Sequence, residues 1–580
     1  MSTNVSTSIS VKTDQEIIAA FEQDGFEFVR KVEYKGDRGF LAQSKTAINI
    51  KTKQYKRAYY VEGSNYNMGY LMGMMAHDEV EQMVGKFESQ IIPSLIHKKG
   101  ILGKWASKII MSIVRRAAWR HRKVMPKSLW DELNGIRDAC RKINRRSKVG
   151  VKRLLALNMG FDIIMATAYD PESYLFQRLG IKHDELRTDH IGCNGFAVFN
   201  NATADGKHYM GRDFMFPTGG VFQDVACMVV YNPRDTDTVD GKTRHRLPTL
   251  CMTAPGFVGC IAALNENGIG IGVDMLPAAN NNIKKPGVNS LLLVRHTADF
   301  AASAEDAVEI MTEAPRGVSW LYLIGDGKHN KAVVLEAGMN TDNFDPFEYP
   351  DKKLFEQGLL PSKEFYEQHA PEKPDKGLVA RWSTYKYPEV FLTANPKLFS
   401  DFGKTFKPEM MGETAFLNPG FKSGSYSEET EEGLATNNNP KAYYYAPQRE
   451  SKDDVILVTN MAITPTMRLP GMHKDTVKIA GKDAISQSQW RYDALNNELL
   501  CNYGTISKEK AWDLINFLRP NHNGPYEKFY GHGRTTTKEI DEIVVHGSTS
   551  LLNLTDKTMK SIYGYFGDES VEMSLLSYLD

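Results

Sequence analysis

In the stretch "DHIGCNGFAVFNNATADGKHYMGRDF", residues 189–214, a cysteine stands directly after a glycine at the head of an apolar run. A cysteine attacks a carbonyl as its thiolate, and a free pKa near 8.5 leaves only a small fraction ionised at neutral pH. Some base must take the proton. A cysteine that becomes the first residue of a chain carries its own, because a free α-amine with a pKa of about 7.7–8.0 lies within reach of the thiol. That solution requires cleavage between Gly192 and Cys193. Glycine suits the scissile position, since it accepts strained backbone and presents no side chain to the attacking sulfur. His190 stands just upstream and offers a Cys–His dyad instead, but the same cleavage would take it out of the nucleophile's chain. A cysteine in a strand is otherwise a small core residue; Cys227, Cys251 and Cys260 are read that way.

The elements around Cys193 are strand-like. From about residue 193 onward the chain breaks into short β-rich runs, "GFAVFN", "KHYMGRDF", "VACMVVYN", "TLCMTAPG", "GIGIGVDM", "WLYLIGD" and "KAVVLEAG", most of them bounded by Gly, Asn, Pro or Asp. Helical patterns separate them, as in "SLLLVRHTADFAASAEDAVEIMTEA", where Ser303 can cap and Glu305 and Asp306 suit a first turn. Grouped strands and grouped helices predict an α+β layered fold. Residues from about 340 to 452 are rich in Pro, Lys, Glu, Tyr and Asn and read as insertions and surface loops. Strand character returns at "DDVILVTNMAI", and "SKEKAWDLINFLRP" reads as a late helix.

Composition excludes more than it selects. With 580 residues, 42% hydrophobic and 24% charged, and 71 basic against 71 acidic side chains, nothing global points to nucleic acid or to an acidic substrate. Six cysteines without a CxxC pair or histidine interleaving predict neither a metal nor a cofactor, and reduced thiols are expected. The polar start and the lack of a long apolar stretch predict a soluble protein of the cytoplasm or another intracellular compartment. One local asymmetry stands out: residues 101–153 hold 16 Lys and Arg against three acidic residues. Trp105, Ile109, Ile113 and Ala117 make a helical stripe there. Packing on the domain with a solvated basic face is the favoured reading of this helix near Trp105, and contact with an anionic membrane surface is the other.

Five segments in order make the chain resemble the penicillin acyltransferase (acyl-coenzyme A:6-aminopenicillanic acid acyltransferase) family, among the autoproteolytic N-terminal-nucleophile hydrolases related to choloylglycine hydrolase and acid ceramidase. They are "GCNGFAVFNNATADGKHYMGRDF", "VEGSNYNMGYLMGMM" upstream at residues 61–75, "ALNENGIGIGVDML" at 263–276, "VILVTNMAI" at 455–463 and "SQWRY" at 488–492. Each alone is a weak signal; "GIGIGVD", for instance, lacks the spacing and following helix of a phosphate cradle. The order discriminates. The resemblance implies that Cys193 is the nucleophile and its amine the base, and that Arg212 favours the thiolate. It implies further that Asn265 and Asn460 donate to the oxyanion, with Asn437 as a rival to Asn460, and that Arg491 supports the site. Where the family has a carboxylate to hold the amine, this chain has Met215; Asp213 is the candidate to replace it, from a position that points to the other side of a strand.

The resemblance implies a four-layer αββα sandwich. Residues 1–192 are expected to be a largely helical leader or small subunit and 193–580 the catalytic domain, with the two fragments staying associated. The implied activity is self-cleavage between Gly192 and Cys193, then attack on a small acyl amide or thioester through an acyl-enzyme, with water or an amine as acceptor. The competing reading is an uncleaved, non-catalytic binding or scaffold descendant of the fold, held at a membrane by the basic helix.

Overall fold

In the computed structural model of the chain, the described residues are 12–91, 101–169, 193–217, 221–350, 352–391, 452–472, 491–516 and 545–579, excepting positions 240, 283, 357–359, 389, 493–494, 497 and 566. Strands in chain order are β1 (Phe26–Tyr34), β2 (Asp37–Ile48), β3 (Tyr55–Gly63), β4 (Asn194–Val198), β5 (Tyr209–Pro217), β6 (Cys227–Pro233), β7 (Thr236–Val239), β8 (Lys242–His245) and β9 (Thr249–Thr253). There follow β10 (Ala262–Asn265), β11 (Ile269–Met275), β12 (Trp320–Asp326), β13 (Lys331–Ala337), β14 (Leu378–Trp382), β15 (Val455–Val458), β16 (Val545–Asn553), β17 (Thr558–Tyr563) and β18 (Val571–Ser574).

Two sheets carry the fold. The larger has ten described strands in the order β1-β2-β3-β6-β9-β10-β11-β12-β13-β14, and the smaller six, β15-β4-β5-β16-β17-β18; β7 and β8 form a separate hairpin. Their faces meet across the core. A Cβ on Gly195 of β4 would stand 3.0 Å from Leu323 Cδ2 of β12, and one on Gly270 of β11 would stand 3.2 Å from Met210 Sδ of β5. Helices close both outer faces. Ser290–Ala298 and Ala304–Glu313 lie on the larger sheet, and Lys508–Asn516 lies on the smaller, where a Cβ on Gly211 would meet Ile515 Cβ at 3.0 Å. This is the four-layer αββα sandwich. The β11 sequence "IGIGVDM" shows how pattern becomes position. Ile269, Ile271, Val273 and Met275 face the helices, while Gly270 and Gly272 thin the inner face so that large side chains of the smaller sheet fit against it.

The segment before Cys193 is largely helical among its described residues, and it also supplies three strands that its sequence pattern did not announce. Residues 26–63 form β1, β2 and β3, and β3 pairs in parallel with β6, Arg57 opposite Cys227 through Gly63 opposite Pro233. The first of those strands, "FEFVRKVEY", mixes charged residues of both signs with apolar ones and presents no apolar run to find. Nor is 340–452 wholly insertion, since Leu378–Trp382 is the last strand of the larger sheet. The basic helix, Ile101–His121, buries Ile110, Met111, Val114 and Ala118 against the helix Val151–Tyr169, one step round from the expected stripe, with Lys108, Arg116 and Arg120 exposed. Trp105's side chain lies outside the described residues.

Buried polar contacts join the leader to the rest. Glu132, on the helix Lys127–Ile143, forms ion pairs with Arg246 at 2.8 Å and Arg295 at 3.2 Å, and both arginines also pair with Asp299; all four are buried. Asp162 accepts from Asn289 Nδ2 at 2.7 Å and from the backbone N–H and hydroxyl of Ser290 at 2.8 and 2.9 Å, anchoring the start of Ser290–Ala298. Removing one partner of a buried charge group strands the others. Glu132→Gln should therefore destabilise the fold by about 3–5 kcal/mol, read from the urea midpoint; a shift under about 1 kcal/mol would show that Glu132 does not join the two parts.

Candidate active site

Backbone register brings four of the expected residues together. Gly195 of β4 faces the inter-sheet space, and its cross-strand partner is Arg212. Arg212 therefore turns inward, into the room the glycine leaves. A Cβ on Gly272 would stand 2.3 Å from Arg212 Cδ, so glycine on the facing strand is a condition for this arginine. Alternation along β4 turns buried Cys193 to the same side.

Cys193's peptide group is held at both ends. Its N–H donates to Asn460 Oδ1 at 2.7 Å, and its carbonyl accepts from Arg491 Nη1 at 2.7 Å. Arg491 also donates from Nη1 to Asn194 Oδ1 at 2.6 Å and from Nη2 to Asn460 Oδ1 at 2.9 Å. Asn460 Nδ2 donates to the Met275 carbonyl at 2.8 Å. Two donors on one atom and a carbonyl on the other allow only this orientation of the amide. Asn460 thus acts here as an acceptor for the Cys193 nitrogen, and its own N–H bonds Met275 rather than aiming at an oxyanion. Its segment is fixed from behind: Glu336 accepts from Ile463 N at 2.8 Å and Thr464 N at 3.1 Å, and pairs with Arg381 at 3.0 Å.

Two expected residues lie elsewhere. Asp213, paired with Asn194 and Thr549, points to the outer face of the smaller sheet, where Thr549 Oγ1 donates to it at 3.0 Å. Asn265 stands in the β10–β11 turn. Its Nδ2 donates to Ala298 O and Ala301 O at 2.9 and 2.8 Å, and its Oδ1 accepts from Asn267 N and Ile269 N, each at 3.0 Å. Four bonds leave nothing for an oxyanion, and the turn lies about 15 Å along β11 from the residues facing Arg212. Gly192, His190 and Asn437 lie outside the described residues, as does the side chain of Met215.

Asp274 is the residue that sequence reasoning missed. It shares the inner face of β11 with Gly270 and Gly272, and its Oδ1 lies 3.5 Å from Arg212 Nη1, both side chains fully buried. Burial pushes its carboxyl up to about 6, against the pull of the Arg212 and Arg491 guanidinia. A carboxylate inside "IGIGVDML" was the available signal, because a charge within an otherwise apolar strand needs a partner. By contrast, burial drives the Cys227 and Cys260 thiols upward, as expected of inert core cysteines. A cavity of about 750 Å³ lined by Phe199, Asn200, Lys331, Trp382, Asp453 and Tyr503 opens at the opposite end of β4, away from Cys193.

The arrangement separates a structural asparagine from the reacting group. Asn265→Ala should cost about 2–4 kcal/mol of stability and leave the rate of Cys193 alkylation by iodoacetamide at pH 7 within about twofold in the folded protein. A tenfold loss of that rate at unchanged stability would return Asn265 to the site.

The family model for acyl-coenzyme A:6-aminopenicillanic acid acyl-transferase matches residues 221–346, the part of the larger sheet that contains β11 and Asp274. An uncharacterized protein of Archaeoglobus fulgidus is 27% identical over 546 residues, 94% of this chain and 68% of its own length. Among solved structures, a mutant conjugated bile acid hydrolase from Clostridium perfringens is 13% identical over 66% of this chain and 92% of its own, with a TM-score of 0.28. Penicillin V acylase from Agrobacterium tumefaciens is 10% identical over 64% and 83%, with a TM-score of 0.29. It is the acyl-coenzyme A:6-aminopenicillanic acid acyl-transferase family, among the N-terminal-nucleophile hydrolases, that this chain resembles.

Proposed function

We propose that the chain is a self-cleaving cysteine N-terminal-nucleophile enzyme, an amidohydrolase or acyltransferase acting on a small acyl amide or acyl thioester. The observation that carries this reading is the clamp on Cys193. Asn460 on its N–H and Arg491 on its carbonyl fix the peptide group that would become the new terminus. Any buried peptide group needs partners; what supports this reading is that both partners here are side chains to which the resemblance assigns a place at the site.

The cleavage is an N-to-S acyl shift followed by hydrolysis. Cys193 Sγ attacks the Gly192 carbonyl, the C–N bond breaks as the nitrogen takes the proton, and the leader is left as a thioester. Water then releases the Gly192 carboxylate and the free thiol. Substrate turnover repeats the attack with the α-amine as base, forms a thioester acyl-enzyme, and passes the acyl group to water or an amine. Arg212 is the buried cation on the nucleophile's side of the inter-sheet space. None of its guanidinium nitrogens has a hydrogen-bond partner among the described residues, so it can stabilise the thiolate and the oxyanion of the tetrahedral intermediate.

The test needs no substrate. Expressed as the full chain, the parent should yield pieces of about 22 and 44 kDa by intact mass, and Cys193→Ala a single 65.3 kDa species. A parent that stays whole would sink the proposal. Because β3 lies inside the larger sheet, the two pieces should co-elute at full size in native gel filtration and part only in denaturant. Native separation would mean that the leader is released.

A further inference from the structure

Cleavage before Cys193 changes the demands on one buried nitrogen. As a peptide N–H it has a single hydrogen, and Asn460 Oδ1 accepts it. As a terminal amine it gains hydrogens, and when protonated a charge, in a place where Arg491 already uses the same oxygen. Asn460 cannot satisfy it alone.

Among the described residues three charged side chains bear on this nitrogen. From the smaller sheet comes Arg212, from residue 491 a second guanidinium, and from the facing strand β11 the carboxylate of Asp274. Neither oxygen of Asp274 has a hydrogen-bond partner among the described residues, and both are buried. The Asn460 amide ties the two places together: its oxygen holds Cys193 N and its nitrogen holds the carbonyl of Met275, the residue after Asp274. Gly272 makes room on the inner face of β11 for the Arg212 side chain, which approaches Asp274 to 3.5 Å without closing a hydrogen bond.

We propose that Asp274 is the counter-charge for the α-amine of Cys193: once the chain is cut, its carboxylate accepts from the new ammonium and sets how tightly that base holds its proton. The inference rests on the self-cleavage reading above. Two buried guanidinia favour the neutral amine and the thiolate, whereas a carboxylate favours the ammonium. The balance of the three keeps the base able both to take a proton from sulfur and to give it to a leaving amine. Asp213, on the outer face of its sheet, is not placed for this.

The test uses 2-cyanobenzothiazole, which condenses only with a cysteine that has both a free thiol and a neutral α-amine, on the cleaved full-length protein between pH 5 and 9. The parent, Asp274→Asn and Asp274→Glu are compared, with iodoacetamide as a probe of the thiol alone. All three chains should cleave, since the uncut N–H already has its partner in Asn460. In Asp274→Asn the midpoint of cyanobenzothiazole labelling should fall by about one pH unit, because an amine without its carboxylate gives up its proton more readily. Asp274→Glu should recover at least half of that shift, and the iodoacetamide profile should move less than the cyanobenzothiazole one. An unchanged midpoint in Asp274→Asn overturns the assignment, as does an iodoacetamide profile that moves as far, which would put the carboxylate on the thiol. An uncleaved Asp274→Asn chain also overturns it, by placing the need for the carboxylate before the amine exists. A parent that does not cleave removes this inference together with the reading beneath it, whereas a cleaved, labelled parent with an indifferent Asp274→Asn variant removes this inference alone.

Discussion

The side-chain amide of Asn460 is the joint between the two sheets at Cys193. One oxygen accepts from Cys193 N and from Arg491, and one nitrogen donates to Met275 on the larger sheet. A planar amide with distinct donor and acceptor ends can hold a strand of one sheet at a fixed distance from a strand of the other, which a carboxylate or a hydroxyl could not do with the same polarity. Much else serves to keep that amide still. Asn460 stands two residues past the end of β15, where Val458 pairs with Gly195 on β4 and registers the strand. The chain beyond it is pinned by Glu336, whose carboxylate accepts from two backbone N–H groups, the Thr464 hydroxyl and Arg381. A buried carboxylate is tolerable there because every acceptor site is used.

The inter-sheet space near Cys193 is charged, which a sandwich core ordinarily avoids. Room for it comes from missing side chains. Gly195 opposite Arg212, and Gly272 across from it, remove the methyl groups that would fill the arginine's path. Glycine costs strand stability, and the sheet recovers it in the apolar positions of β11 that face the helices. The resulting group, two guanidinia and one carboxylate, carries a net positive charge suited to a thiolate or an oxyanion. The second buried charge group, Glu132, Arg246, Arg295 and Asp299, is balanced, with two cations against two anions. Balance suits a group that holds two parts together; imbalance suits one that must meet a charge which comes and goes.

How much of this was legible in the sequence depended on whether a residue's role was local. Cys193, Arg212, Asn460 and Arg491 could be singled out because their segments follow the order of the family they resemble; the structure sets Cys193, Asn460 and Arg491 in one hydrogen-bonded group and Arg212 across from Gly195. Asp213 could be distrusted from strand alternation alone, and it does point away. Asn265 misled because Asn-Glu-x-Gly is also a good turn, and its amide is spent bonding Ala298 and Ala301 across from that turn. Asp274 was hidden by its apolar setting, although that setting was the clue. The strands β1 to β3 escaped notice because their burial is supplied by elements far along the chain, including Tyr578 stacked on Tyr60. Periodicity in a window cannot report a partner more than 500 residues away.

The upstream Met-Gly-x-x-x-Gly segment, part of the resemblance, serves helix packing. It forms the helix Asn65–Met75, in which a Cβ on Gly69 would fall 1.9 Å from the Glu132 carbonyl and one on Gly73 2.8 Å from Ala139 Cβ. Gly135 on the opposing helix is equally tight against Tyr66. The glycines let two helices of the leader cross at backbone contact, and that crossing sets where Glu132 enters the arginine pair beneath it. The leader is thus built into the larger sheet by β3 and locked to it by Glu132, so a cut before Cys193 would be a nick in a standing structure. Nothing would have to move away for the nucleophile to form. What the cut would change is the charge and hydrogen count of one nitrogen, and it is around that nitrogen that the polar groups of the inter-sheet space are gathered.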